Sequence, residues 1–290
     1  MSMTVGIAGT GRMGTAFTRR LIDTGHGVQV WNRTSENARS AVDAGAALTG
    51  SIAELNVCDA IIISLTDADA VEAVVDELIS AGIVGKLVIE MSTLMPAAIQ
   101  AIGARVVNAG AQYIECPVGG TVVPALNGQL LGMAGGSVSS FERARPILET
   151  LCRRVEHLGP VGCGAHMKLA VNLPLAIYWQ TLGESLALLE GSGIPAETAL
   201  SVIADSAAGP TVLKNRMQIV LDTMNGADQP GTFDIAGLNK DLGLALRLGE
   251  IMGASLPIAS AIVPCYEAAL NAKLGHFDGA SLTRKTARHE

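Results

Sequence analysis

Two side chains four residues apart, Lys168 and Asn172 in Gly164-Ala-His-Met-Lys-Leu-Ala-Val-Asn172, have the types and spacing to act on one small molecule. On an α-helix that spacing stacks them on one face, so an ammonium and an amide reach the same point. A proton donor beside an orienting amide is what carbonyl reduction requires. The same pair also describes an ordinary solvated helix face. Here, however, Met167, Leu169, Ala170, Val171 and Leu173 are apolar, which predicts a largely buried helix where an ammonium needs a reason. Burial also pushes a lysine below its usual range, the direction that acid/base work near neutrality needs.

A reduction needs a hydride source, and the first residues point to one. Thr4-Val-Gly-Ile-Ala8 reads as a strand. It runs into Gly9-Thr10-Gly11-Arg12-Met13-Gly14, with Met13, Ala16, Phe17 and Leu21 at helical spacing beyond. Gly9 would permit the tight turn, Gly11 the approach of a pyrophosphate, and Gly14 close helix–strand packing, with the helix N-terminus facing the phosphates. A second strand, Val28–Trp31, ends at Asn32-Arg33-Thr34, where an adenosine ribose should lie. An acid there would accept from the ribose 2′-hydroxyl and repel a 2′-phosphate. Donors and a positive charge stand there instead, so the expected cofactor is NADP(H) rather than NAD(H). Thr34 or Ser35 would also serve as an ordinary helix N-cap.

Ala60–Ser64 continues the strand pattern as an apolar run typical of a parallel strand covered on both faces, and Lys86–Met91, Tyr113–Cys116 and Leu130–Ala134 extend the pattern. Ligands bind outside the carboxyl ends of such strands, so Leu65, Thr66 and Thr93 are expected to line the nicotinamide side. Capping of a helix at Pro96 is the alternative for Ser92 and Thr93. Gly135-Gly136 offers either an anion-binding nest or a plain turn. After Val155–Leu158 the strand pattern stops. A long helix is predicted over Gly164–Glu190, kinked at Pro174, followed by helices at Ala196–Ser206, Thr211–Met224, Asp241–Met252 and Pro257–Ala272. The expected architecture is α/β: an N-terminal Rossmann doubly wound parallel sheet over residues 1–161 and an all-α C-terminal domain over 162–290. The helical part carries few charges and should complete its core against a second copy, as a homodimer or homotetramer.

Composition agrees. With 49% hydrophobic residues but only 3% aromatics and 33 glycines, the chain suits close-packed helices on a parallel sheet. A net charge of −7 and the lack of basic runs apart from the short tail Arg284-Lys285 to Arg288 argue against nucleic acid. No apolar run approaches membrane-spanning length, and nothing at the start reads as a secretory leader. Five scattered cysteines read as small hydrophobes in a reducing compartment, without metal-ligand spacing. A cytoplasmic protein without a metal is expected.

The glycine turn, Asn32-Arg33-Thr34, Met91-Ser92-Thr93, Pro117-Val-Gly-Gly-Thr121 and Gly164-x-x-x-Lys168-x-x-x-Asn172, in this order, resemble the β-hydroxyacid dehydrogenase family. Phe233 with Lys240-Asp241-Leu242 matches its C-terminal signature, and the likeness runs from about residue 4 to 282. The resemblance implies that Lys168 is the acid/base and that Asn172 orients the substrate. It also implies that Gly119, Gly120 and Thr121 hold an acid group, while Phe233, Lys240 and Asp241 close the site, Lys240 on the cofactor side. The implied substrate is a small carbonyl or hydroxyacid. One departure stands out: members acting on hydroxyacids carry Pro-Val-Ser-Gly-Gly, and here Gly119 replaces the serine and Thr121 the last glycine. Imine reductases are similar across the whole length and make a second enzymatic reading, although they typically lack the lysine. A non-catalytic cofactor-binding module is a third, which the retained Lys168, Asn172, Lys240 and Asp241 oppose. A sugar-phosphate decarboxylating dehydrogenase is set aside, because the chain is short and has no basic cluster.

Overall fold

The computed structural model describes residues 3–288, which divide into two compact units between Leu169 and Ala170. The first unit is built on nine strands among the described residues: β1 (Thr4–Ala8), β2 (Gly27–Trp31), β3 (Ala47–Leu48), β4 (Ala60–Ile63), β5 (Leu87–Glu90), β6 (Gln112–Glu115), β7 (Val118–Gly119), β8 (Leu130–Gly136) and β9 (Cys152–His157). Strands β3-β2-β1-β4-β5-β6 pair in parallel, the doubly wound order. Beyond them β8 runs antiparallel to β6 and β7, and β9 pairs parallel with β8. The helices of this unit are α1 (Arg12–Asp23), α2 (Arg39–Val42), α3 (Ala68–Ser80), α4 (Pro96–Asn108), α5 (Val122–Leu126) and α6 (Val138–Leu151). The start of α7 (Cys163–Ala187) belongs here too.

The apolar runs are continuous because each strand is buried on both faces. Ile62 packs with Ile7, Phe17, Leu21 and Ile89 on one face, while its neighbours Ile61 and Ile63 pack with Val71, Val75, Val88 and Ile99 on the other. Burying one such side chain contributes about 1.5–3 kcal/mol, so alternate residues hold the two helix layers. Local signals fix the helix starts. Asp67 accepts from Ala70 N–H to cap α3, Ser137 accepts from Ser140 N–H to cap α6, and Pro96 opens α4.

One expectation changes here. Gly135 and Gly136 form neither a nest nor a turn but lie inside β8, with the Gly136 N–H on Gly159 O at 2.9 Å. The segment after Pro117, where the sequence shows no strand pattern, contains β7, too short to show a period.

The second unit is helical. It holds the rest of α7, then α8 (Ala196–Asp205), α9 (Thr211–Met224), α10 (Ile235–Met252), α11 (Pro257–Ala261), α12 (Val263–Asn271) and α13 (Ala280–Ala287). Its core gathers Trp179, Leu182, Leu200, Leu213, Leu238 and Tyr266. Helix α7 runs on through Pro174 and stops at Ala187, three residues short of the expected end. Helix α10 starts six residues before the expected Asp241, because the Asp234 side chain caps it by accepting from Gly237 N–H at 2.9 Å. The single helix expected over 257–272 is broken at Ile262, with a proline opening each half. Among the described residues no helix is long and apolar enough to cross a membrane.

Candidate active site

The glycine turn separates structural from ligand-facing glycines. Gly9 has φ +101°, and a Cβ on it would fall 2.3 Å from Ser64 O. A Cβ on Gly14 would fall 1.9 Å from Gly9 O. Both positions are closed to any other residue. Gly11 has nothing within 4 Å of its Cβ position and occupies the N-cap of α1 without a side-chain cap. Open space before an uncapped helix N-terminus fits a pyrophosphate. Thr10 N–H donates to Asn32 Oδ1 at 3.0 Å, and the buried Thr10 Oγ1 has no hydrogen-bond partner among the described residues. Met13 packs against the core from α1.

A cleft of about 510 Å³ is lined by Thr10, Gly11, Arg12, Arg19, Asn32 and Ser40, among others. Asn32 Nδ2 donates to Thr34 O at 2.8 Å, and Arg33 and Thr34 are exposed just beyond. Thr34 makes no side-chain cap. Arg19, whose Nη2 donates to Ser40 Oγ at 2.9 Å, was not singled out from the sequence. Its signal was there: it stands seven residues after Arg12 on α1, on the same face.

At the next strand ends the hydrogen bonds form a chain. Leu65 N–H donates to Ser92 Oγ at 2.9 Å, and Ser92 N–H donates to Glu90 Oε1 at 2.7 Å. Ser92 therefore ties β4 to β5 instead of capping a helix. The N-cap position of α4 belongs to Met95. Thr66 donates to Asp67, and Thr93 is half-buried beside Ser92. Glu90 is fully buried, its Oε2 has no partner among the described residues, and burial pushes its carboxyl up to about 7 despite the bonds from Ser92.

Glu115, the register partner of Glu90 on β6, is equally buried and is pushed up to about 7 by burial. Three backbone N–H groups oppose that shift. Gly162 and Gly164 donate to its Oε1 and Ala165 to its Oε2, so the carboxylate covers the first turn of α7. One turn further on, Lys168 is only 9% exposed and donates from Nζ to Val118 O at 2.8 Å. That carbonyl immediately precedes Gly119, Gly120 and Thr121. Gly120 has φ +118° and could carry no side chain, since a Cβ would meet Leu130 Cδ2 at 2.7 Å. Gly119 is different: a Cβ there would make ordinary contact with Leu131 at 3.6 Å. Thr121 stands at the start of α5 without capping it.

In the second unit, Asn172, one helical turn beyond Lys168 on α7, donates from Nδ2 to Asp241 Oδ2 at 2.6 Å. Lys240 Nζ lies 3.7 Å from Asp241 Oδ1. Asn172 and Asp241 are buried and Lys240 is half-exposed. Phe233 precedes the Asp234 cap of α10 and is half-buried against this unit's core. The structure thus groups Lys168 with the Gly119–Thr121 loop, and Asn172 with Lys240 and Asp241. No cluster of metal-ligating side chains occurs among the described residues.

Comparison with known proteins places the chain in a family. Residues 4–159 match the family described as the NAD binding domain of 6-phosphogluconate dehydrogenase. Residues 162–285 match the NAD-binding domain of NADP-dependent 3-hydroxyisobutyrate dehydrogenase. The chain is 33% identical over 282 residues to glyoxylate/succinic semialdehyde reductase 1 of Arabidopsis thaliana, covering 95% of this chain and 96% of that protein. The structure of Mycobacterium tuberculosis 3-hydroxyisobutyrate dehydrogenase with L-serine superposes with a TM-score of 0.88 at 27% identity, over 98% of this chain and 99% of that one. An imine reductase from Pseudomonas sp. shares the fold, with a TM-score of 0.66 at 20% identity over the whole of both chains. The protein belongs to the β-hydroxyacid dehydrogenase family, whose members are oxidoreductases that use a nicotinamide dinucleotide.

Proposed function

We propose that this protein is an NADP(H)-dependent oxidoreductase that interconverts a small β-hydroxyacid, or a related alcohol, with its semialdehyde or carbonyl. The observation that carries the reading is the buried Lys168, held by Val118 O beside the Gly119–Thr121 loop at the carboxyl ends of the strands. A bound nicotinamide would supply or take the hydride. In reduction the Lys168 ammonium donates a proton to the carbonyl oxygen as negative charge develops on it, and in oxidation the amine takes that proton back. Asn172, steadied by Asp241, orients the oxygen. The Gly119–Gly120 backbone and the Thr121 hydroxyl take the substrate's acid group, Thr121 standing in for the family's serine.

On the cofactor side, Gly9 to Gly14 hold the pyrophosphate, Leu65, Thr66 and Thr93 face the nicotinamide, and Lys240 and Phe233 complete the cofactor and substrate contacts. Asn32, Arg33 and Thr34 favour the 2′-phosphate because they offer donors and a cation where an acid would repel it. The working unit is a homodimer or homotetramer in the cytoplasm. Exposed apolar side chains on the helical unit, including Val202, Ile251 and Ile258, support assembly.

The test is NADPH oxidation with glyoxylate, succinic semialdehyde, an uncharged aldehyde and a cyclic imine, using Lys168→Ala and Arg33→Ala as controls. Lys168→Ala should lower kcat by about 10²–10⁴-fold. Arg33→Ala should raise KM for NADPH and leave NADH unaffected. Unchanged turnover in Lys168→Ala refutes the acid/base role. Turnover of the imine alone moves the assignment to imine reduction.

A further inference from the structure

Glu115 takes no part in the chemistry described above, yet the fold clears space for it. It lies at the end of β6, fully buried, with both carboxyl oxygens on the opening turn of α7. Three glycines make that approach possible. Gly162 adopts φ +105°, a Cβ on Gly135 would fall 2.4 Å from Glu115 Oε1, and a Cβ on Gly164 would fall 3.1 Å from Glu115 Cδ and 2.3 Å from Met133 O. A carboxylate on the first N–H groups of a helix satisfies donors that have no partner within the helix and complements its dipole. Core packing alone would be served by an apolar residue at this position.

The segment that supplies Glu115 grips the same helix a second time. Val118 O, three residues on, accepts from Lys168 Nζ, and Lys168 stands three residues, about 4.5 Å of helix rise, beyond Ala165. The short stretch 115–118 thus holds α7 at its start and at its functional side chain, and the Gly119–Thr121 loop follows directly. We propose that Glu115 is a positioning residue for the reaction: its carboxylate sets the first turn of α7 and thereby places the Lys168 ammonium against the substrate loop. The proposal rests on Lys168 as the proton donor. Glu115 touches neither substrate nor cofactor and acts only through the helix.

A double-mutant cycle tests this, with single-turnover NADPH oxidation on glyoxylate as the readout. Glu115→Gln keeps the shape but turns an amide N–H toward one of the backbone donors. In the Lys168 background it should lower the rate by about ten- to a hundredfold, the loss expected when a reacting group is misplaced by about 1 Å. It should lower kcat and leave KM for NADPH unchanged. In the Lys168→Ala background the same substitution should change the rate by less than about twofold, because the two effects share one path. Glu115→Asp, which keeps the charge, should recover part of the loss and stands in if Glu115→Gln does not fold. An equal loss in both backgrounds, no loss with Lys168 present, or no recovery by Asp overturns the positioning role. Unchanged turnover in Lys168→Ala alone overturns the acid/base reading instead, so the two failures are distinguishable.

Discussion

Glu90→Gln should make this protein more stable in mild alkali and leave it nearly unchanged in mild acid. Glu90 is fully buried, its Oε1 accepts from Ser92 N–H, and its Oε2 has no partner among the described residues. Burial raises the carboxyl from 4.5 to about 7, with the facing Glu115 pushing in the same direction. A carboxyl raised in the folded state binds its proton more tightly there than in the unfolded chain. Its contribution is therefore fully present below pH 4.5 and is lost as pH rises through about 7. At about 1.4 kcal/mol per tenfold difference in proton affinity, the folded state loses about 2–3 kcal/mol between about pH 5 and about pH 8. Glutamine keeps the acceptor for Ser92 and never ionises. Urea unfolding of both proteins across this range should show the variant's advantage growing by that amount, or a rise in Tm of about 5 °C or more at the alkaline end. Glu115 titrates in the same window, but it does so in both proteins and largely cancels. Parallel stability curves from pH 5 to pH 8 would refute the reasoning, because they would mean that Glu90 ionises as easily folded as unfolded.

Three further predictions concern glycines that the structure tells apart. Gly14→Ala places a Cβ 1.9 Å from Gly9 O, so thermal unfolding should show a loss of about 2 kcal/mol or more; Gly11→Ala meets nothing within 4 Å and should fold normally while weakening NADPH binding at least tenfold by fluorescence titration. A Gly11→Ala protein that binds NADPH as the parent does would show that the pyrophosphate does not approach there. Gly119→Ser makes only ordinary contact with Leu131, so stability should stay within about 0.5 kcal/mol of the parent. The added hydroxyl should raise kcat/KM for glyoxylate over an uncharged aldehyde by about tenfold, the worth of one hydrogen bond to a charged group; an unchanged ratio would mean that no carboxylate is held at this loop.

Much of the fold was legible in the chain because its signals are local. A strand buried on both faces must be apolar throughout, as Ala60–Ile63 is, and the β1–α1 turn must carry Gly9 and Gly14, where φ or backbone contact excludes a side chain. That Lys168 and Asn172 stand one turn apart on α7 followed from helical period alone. Other features were out of reach. Strands of two residues such as β7 show no period; the start of α10, by contrast, is set by the Asp234 cap on Gly237 N–H, a local signal that the chain does carry. Helix capping was one of two readings open for Ser92 because the helix at Pro96 lies near in sequence, but its partner is Leu65, twenty-seven residues away.

The sequence by itself determined the doubly wound sheet, the dinucleotide turn and the residues able to carry a proton, because periodicity, glycine sterics and side-chain chemistry act over a few residues at a time. Only the tertiary structure decided what those residues touch. Val118 O for Lys168, Asp241 for Asn172, and the first turn of α7 for Glu115 are partners 47 to 69 residues apart. A buried charge or amide takes whichever partner the packed chain brings to it, and that choice is made by the meeting of distant segments.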